Sequence, residues 1–238
     1  MPAYNAERTV DRTYLSLPRR SFSLAILVDD HSKDGTVSKA HALGIDVVIQ
    51  HDSTKGYGAN QKTCYREALK RGADLIAMIH PDYQYDGRLL PYFVGFIEHG
   101  VCDVILGNRI RSRQDALAAG MPIYKYIANR MLTFLENICL GTNLGDCHSG
   151  FRLYTRKVLE SIPFEANNDG FVFDSQLLAQ AAFFGFKISD APIPCRYFPD
   201  ASSINFQQSI LYGIGTMLVL AKYCLASLGW PSSMFARQ

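Results

Sequence analysis

Two adjacent carboxylates, Asp29 and Asp30, end an apolar run in LAILVDDHSKDGT, residues 24–36. Leu24 to Asp29 has strand character, a polar turn follows, and Asp34 or Thr36 can cap the helix beyond it. A turn and a cap account for Ser32, Asp34 and Gly35. They do not account for two acids side by side at a strand end, which is where open α/β sheets hold small ligands. A second apolar run, LIAMI, leads into HPDYQYD and so places His80, Asp82, Gln84 and Asp86 together. Oxygen donors with an imidazole nearby suit Mg²⁺ or Mn²⁺, and a histidine ligand tilts the choice toward Mn²⁺. The plainer alternative is a β-turn in which His80 and Asp82 are solvated.

Other groups belong to the same chemistry if the fold brings them near. Lys55, Gly56 and Gly58 form a basic, glycine-rich turn ahead of a helix, and backbone N–H groups there can receive phosphate. Arg109, Arg111, Arg113, Lys125 and Arg130 gather five cations in the middle of the chain. On a helix face such cations are ordinary surface; beside a ligand edge they meet phosphate. Asp169 and Asp174 flank a helix start, where simple capping is an equal alternative.

The elements that must position these residues follow from periodicity. Strands are expected over 24–29, 45–49, 75–79, 103–106 and 151–154, alternating with helices, and KISDAPIPCRY reads as an edge strand because of Pro192 and Pro194. The section around RIRSRQDALAAG is expected to be a mobile loop. The helix from Ile123 to about Leu140 carries Ile127, Met131, Phe134, Leu135 and Ile138 as a stripe expected to face the core. Ser209 to Trp230 has Lys222 as its single charge, with Leu211, Ile214, Leu218, Ala221, Leu225 and Leu228 along one face. It is a marginal span, better suited to lying in a membrane interface or docking on a protein surface. The start is unusual: the PAYN loop should be delivered by a strand, yet at most Met1 and Pro2 can belong to one. A truncated first strand is the expectation, with the native start upstream.

With 238 residues, 48% hydrophobic and 19% charged, the chain suits one α/β domain. A net charge of +2 gives no argument for nucleic acid as a partner. Six cysteines without a CxxC pair read as reduced, buried thiols of a cytosolic protein, and the first ten residues do not read as a signal peptide.

PAYNAER, VDDHSKDGT, KGYGANQ, HPDYQYD, GNR, HSGFR and RYFPDASS occur in the order found in family 2 glycosyltransferases of the GT-A fold. The chain most resembles their polyprenyl-phosphate (dolichyl-phosphate) mannosyl- and glucosyltransferase branch, from Pro2 to about Phe206. The resemblance implies a Rossmann-like mixed sheet flanked by helices over residues 1–206; beyond it, residues 207–238 are expected to form the apolar C-terminal helix, membrane-interfacial or docking. It implies inverting transfer of mannose or glucose from a GDP- or UDP-hexose to a lipid phosphate, with Mg²⁺ or Mn²⁺, at the cytoplasmic face of a membrane. A homo-oligomer is left open.

The resemblance also assigns roles. Pro2, Tyr4, Asn5 and Glu7 frame the nucleotide, and Asp30, with Asp29 beside it, holds its base or ribose. Gly56, Gly58 and Asn60 form the turn nearby. His80, Asp82 and Gln84 occupy the metal-binding stretch, with His80 where the branch has an acid. Arg109 and Arg196 handle pyrophosphate and acceptor phosphate, although Ser203 is followed by Ile204 where the branch often has lysine. Gln176 stands where many relatives carry a glutamate, which leaves Asp174 as the nearest carboxylate. Two other readings share these features: a sugar-phosphate nucleotidyltransferase, whose N-terminal glycine-rich loop with lysine is absent here, and an inactive nucleotide-sugar-binding relative.

Overall fold

Short apolar runs set the frame, because each is too brief to form a helix and each ends in a turn or a polar loop. In the computed structural model, which describes residues 1–198 and 206–236, they form two sheets. The first is parallel, in the order β1 (Pro2–Ala3), β2 (Ile26–Asp29), β3 (Val47–Gln50). The second runs β4 (Leu75–Ile79), β6 (Phe151–Thr155), β5 (Val104–Asn108), β7 (Ile188–Pro192). In it, β6 is antiparallel to both neighbours and β7 lies parallel to β5 at the edge, where Pro192 costs no ladder bond. The first strand is present at two residues, paired through Pro2 with Val28 and Ala3 with Asp29.

Helices α1 (Val10–Ser16), α2 (Thr36–Ala42), α3 (Tyr57–Lys70), α4 (Leu90–Glu98), α5 (Arg113–Ala118), α6 (Ile123–Leu140), α7 (Arg156–Ser161), α8 (Phe173–Phe183) and α9 (Phe206–Ser227) pack around the sheets. Among the described residues two large buried apolar clusters form the core, with a small third one at Ile110, Ala116 and Met121. One centres on Tyr65, Tyr154, Phe173 and Leu177, the other on Leu27, Phe93, Ile105 and Phe151. The α9 residues Val219 and Leu220 belong to the first cluster, so one side of the C-terminal helix is part of the domain core.

Three expectations need correction. The middle section is not an irregular loop throughout: Ser112 caps α5 by accepting from Asp115 N at 3.0 Å. The cysteines are all free, but Cys139 and Cys195 are half-buried and Cys224 is exposed. The third concerns α6, which is turned the other way round. Ile127, Met131, Phe134 and Ile138 are 57–63% exposed and Leu135 is half-buried, whereas Asn129, Leu132, Thr133, Glu136 and Leu140 face inward.

The reason lies in the loop that α6 covers. Residues 141–150 run beneath it, and buried backbone and carboxylate groups need partners. Asn129 donates to Asp146 at 2.9 Å, Thr133 accepts from Cys147 N at 3.4 Å, and Asn137 both donates to Leu144 O and accepts from Leu144 N at 2.8 Å. The polar stripe of α6 is thereby used up inside, and the apolar stripe is left outside.

Candidate active site

The loops that leave the carboxyl ends of β1, β2, β4 and β5 converge on a cleft of about 780 Å³, closed on the far side by α6, α8 and α9. Three non-glycine residues hold left-handed backbone in these loops: Asn5 (φ 49°), His31 (φ 64°) and Tyr83 (φ 57°). Asparagine and histidine enter that region more readily than most residues, but tyrosine adopts it at a cost, and such cost concentrates where loops are held for a ligand.

The paired acids divide their work. Asp29 is fully buried and stays out of the cleft, accepting from Ser32 N at 2.9 Å, from the Ser32 hydroxyl and from Gln50 Nε2 at 3.3 Å. Asp30 lines the cleft. Its carboxylate accepts from the backbone N–H groups of Lys55 and Gly56, each at 2.9 Å, and contacts His51 Nδ1 at 2.8 Å. Asp30 thus pins the glycine-rich turn against the strand end. Gly56 has φ 107°, and a Cβ on Gly58 would lie 2.4 Å from Asn168 O, so this turn needs both glycines. Gly58 itself packs on the 168–170 backbone rather than in the cleft.

Pro2, Tyr4 and Asn5 line the cleft, whereas Glu7 ties the first loop to the β2–α2 turn by accepting from Gly35 N at 3.0 Å. Asn60 also lines the cleft. Its Nδ2 donates to Ala3 O at 3.2 Å, and its buried Oδ1 has no hydrogen-bond partner. A buried acceptor left open beside the cleft is a place for a ligand donor.

His80 sits in a chain of hydrogen bonds. The Tyr57 hydroxyl donates to Asp174 Oδ2 at 2.7 Å and lies 2.7 Å from His80 Nε2. Since the phenol has one proton and gives it to the carboxylate, Nε2 must carry the proton of the second bond. Burial holds the His80 pKa down to about 4, so the ring is neutral and only Nδ1 is left as an acceptor. Gly150 makes room for the ring, since a Cβ there would lie 2.3 Å from Cε1. Asp174 further accepts from Gln61 Nε2 at 2.9 Å, and Arg152, completely buried, stands 3.6 Å away. Arg152 is anchored by the carbonyls of Ser149 and Cys147, at 2.7 and 3.0 Å. Asp174 is therefore the hub of a buried network.

Asp82 and Gln84 line the cleft, with Gln84 N donating to Asp82 Oδ1 at 3.2 Å. Arg109 reaches the cleft wall and holds Asp146 with two bonds, Nε at 2.6 Å and Nη2 at 3.1 Å. Burial works against both charges. Each nevertheless offsets that cost for the other, keeping the arginine pKa above and the carboxylate pKa well below its ordinary value. Of the other predicted cations only Lys125 lines the cleft, and burial, then Arg109, lowers its pKa. Arg111 lies 3.7 Å from Asp115, and Arg130 donates to Gly145 O. Arg196 stacks over the Tyr83 ring at 5.0 Å, outside the cleft lining. Asp169 pairs with Lys62 at 2.8 Å. Ser203 and Ile204 lie outside the described residues.

Sequence reasoning assigned no role to Tyr57, Gln61, His51, Arg152 or Asp146. One signal was available: Arg152 interrupts the otherwise apolar start of FRLYT, and a charge within a buried strand requires an internal partner.

The model described as glycosyl transferase family 2 matches residues 1–162. The low-salt glycan biosynthesis hexosyltransferase Agl6 of Haloferax volcanii is 30% identical over 184 residues, 76% of this chain; the match spans 42% of that protein's length. A UDP-N-acetylglucosamine–dolichyl-phosphate N-acetylglucosaminyltransferase of Methanococcus voltae is 24% identical over 213 residues, covering 83% of this chain and 84% of that one. Among solved structures, glucosyl-3-phosphoglycerate synthase from Mycobacterium tuberculosis, in complex with Mn²⁺, uridine-diphosphate-glucose and phosphoglyceric acid, superposes with a TM-score of 0.69 at 18% identity. That match covers 100% of this chain and 83% of the other, and identifies the fold as GT-A.

Proposed function

The chain belongs to glycosyl transferase family 2, and on that premise we propose that it moves a hexose, with inversion, from a nucleoside-diphosphate sugar to a polyprenyl-phosphate-type lipid. The observation that carries this reading is the cleft's double character. One wall consists of the strand-end loops with Asp30, Asn60 and Asp82; the other is made of the first halves of α6 and α9, through Tyr124, Lys125, Gln208 and Tyr212. Outside that second wall both helices expose apolar faces, Ile127, Met131, Phe134 and Ile138 on α6 and Leu211, Ile214 and Leu218 on α9. A headgroup in the cleft would have its chain leave along this face. Among the described residues α9 alone is long and apolar enough to cross a membrane, yet Thr216, Val219 and Leu220 are buried against the domain, which favours an interfacial position.

Asp30, His51 and the Gly56 turn shape the nucleotide end. Among the described residues no three histidine, cysteine or acidic groups form a metal cage. A cation held partly by the donor's phosphates needs only one or two carboxylates, and Asp82 in the cleft supplies one. The residues therefore fit Mg²⁺ or Mn²⁺: Asp82 would hold the ion, with Gln84 and His80 lining the same cleft. When bound, the ion neutralises charge on the leaving diphosphate. Arg109 and Lys125 offer cations to phosphate at the opposite wall. The acceptor phosphate, with a second pKa of about 6, is already largely dianionic at neutral pH and needs no strong base. Asp174, committed to Tyr57 and Gln61, then keeps Tyr57 and His80 in place.

The test is a panel of UDP- and GDP-hexoses with a short polyprenyl phosphate, with and without Mn²⁺. Transfer from one donor is expected, and Asp82→Asn should lower it roughly 10²-fold or more. Nucleotide binding without transfer from any donor, or full transfer by Asp82→Asn, would overturn the reading.

A further inference from the structure

Behind the α9 wall of the cleft runs a hydrogen-bonded relay that the transfer reaction, as described, does not use. His148 and Tyr212 line the cleft, and His148 Nδ1 lies 2.7 Å from the Tyr212 hydroxyl. That hydroxyl lies 3.0 Å from Ser175 Oγ, which in turn lies 3.0 Å from Thr216 Oγ1. The relay thus joins the loop 141–150 to α8 and α9. Its other end is Glu136 of α6, 1% exposed, whose Oε2 faces His148 Nε2 at 3.3 Å. Neither of these two atoms has a hydrogen-bond partner.

Two facing buried orphans are satisfied together by one proton. Burial supplies it: Glu136 is raised to about 8 and His148 lowered to about 4, so at neutral pH the carboxyl is protonated and the ring neutral. Asp146 and Cys147 in the loop, Arg109 just after β5, Arg152 of β6 and Asp174 of α8 also face the pair, and they do not reverse either shift. A carboxyl O–H given to Nε2 leaves the ring hydrogen on Nδ1. Nδ1–H then donates to the Tyr212 oxygen, and the phenol proton is free to turn toward the cleft. With Glu136 ionised the order reverses. Nε2 must carry the hydrogen, the bare Nδ1 takes the phenol proton, and Tyr212 has none to offer. Tyr212 keeps its proton throughout, since burial pushes its pKa up.

We propose that Glu136 is a positioning residue: through the tautomer of His148 it aims the Tyr212 hydroxyl into the cleft, as a hydrogen-bond donor to a phosphate oxygen of the acceptor. The proposal rests on the lipid-phosphate reading above. The chemistry suits that ligand, because a dianionic phosphate offers only acceptor oxygens. A neutral donor set in place beforehand adds to the charges of Arg109 and Lys125, which line the same cleft.

The experiment has two readouts, each at pH 7 and pH 9. Nitrogen NMR follows the His148 ring, assigned through its backbone resonances, in the absence of any ligand. Calorimetry measures the affinity for a short polyprenyl phosphate, with no sugar donor present. The expected result is hydrogen on Nδ1 at pH 7 and on Nε2 at pH 9, with affinity falling about five- to tenfold as the competent form gives way. Tyr212→Phe should bind about tenfold more weakly at pH 7 and lose the pH dependence. Glu136→Gln, whose amide N–H donates to Nε2 at every pH, should hold the Nδ1 tautomer and abolish the pH dependence of binding. Hydrogen on Nε2 at pH 7, or an equal pH dependence in wild type and Glu136→Gln, overturns the proposal alone. No binding of the phosphate at either pH overturns it together with the lipid-phosphate reading. The wild-type tautomer is read without any substitution, so a variant that folds badly does not blunt the test.

Discussion

The two walls of the cleft are built on opposite plans. On the nucleotide side, β2, β4 and β5 are built of apolar side chains, and the polar groups that line the cleft follow where these strands end. Asp30 there is 4% exposed, yet its oxygens meet Lys55 N, Gly56 N and His51. On the α6/α9 side the polar groups lie within: Asn129, Thr133, Glu136, Tyr212 and Thr216 face the domain, and the apolar residues face out. The first wall is organised to hold a polar ligand rigidly. The second makes sense only with an apolar surrounding, since exposed stripes of this kind mark an interaction surface.

The sharpest way to break this contrast is at Asp30. Asp30→Ala leaves the part-buried Lys55 and Gly56 N–H groups and the buried His51 without their carboxylate, and a buried group left unsatisfied costs about 1–3 kcal/mol. The variant should lose roughly 2–4 kcal/mol of stability in denaturant unfolding and bind nucleotide at least about tenfold more weakly. A variant that keeps wild-type nucleotide affinity would show that the turn needs no anchor, and that the first wall is no more preorganised than the second.

How much of this could be read beforehand differs between the walls for a physical reason. Strand-end motifs are local: an apolar run followed by acids puts those acids at the sheet edge almost regardless of the rest of the fold. The expected run over Leu75–Ile79 matches β4 residue for residue, and Asp30, His80, Asp82 and Gln84 all line one cleft. The helix Ile123–Leu140 was equally plain as a helix, with its bounds correct. Which side faces inward was not legible, because periodicity reports two faces without saying what each meets. That was decided by the loop 141–150, whose carboxylate and backbone groups demand the polar stripe. The same holds for Arg152 and Tyr57, whose partner Asp174 is 22 residues away from one and 117 from the other.

The outer face of α6 gives a smaller but cleaner test. Met131 and Phe134 are 57% and 61% exposed, so replacing both with aspartate should leave thermal stability within a few degrees. If the face lies on lipid, co-sedimentation with anionic vesicles should fall about tenfold, since two buried apolar side chains and two charges are exchanged. If instead the stripe were a concealed part of the core, the double variant would unfold and the outward orientation of α6 would be wrong.

The inner face of α6 makes the smallest prediction. Glu136 Oε2 lies 3.3 Å from His148 Nε2, and neither atom has a hydrogen-bond partner. Burial drives both toward neutrality, raising Glu136 to about 8 and lowering His148 to about 4, so at neutral pH the contact joins two uncharged groups. An unfolded glutamate ionises near ~4.3. Because the folded pKa is the higher one, the native state holds a proton that the unfolded chain has lost, and stability falls as pH rises until the folded group ionises near 8. Between pH 7 and pH 9 the loss from this group is about 1 kcal/mol, or ~2–4 °C in Tm for a chain of this size. His148 adds little to this alkaline window, since the folded ring is neutral and the unfolded imidazole, with a pKa of about 6.5, loses its last fraction of charge just above pH 7. Glu136→Gln removes the ionisable group while keeping its shape, so its Tm should be flatter than wild type from pH 7 to 9 and exceed it at pH 9. A parallel decline in the two proteins would mean that Glu136 is ionised inside the fold, and that the second wall carries a buried charge as the first does.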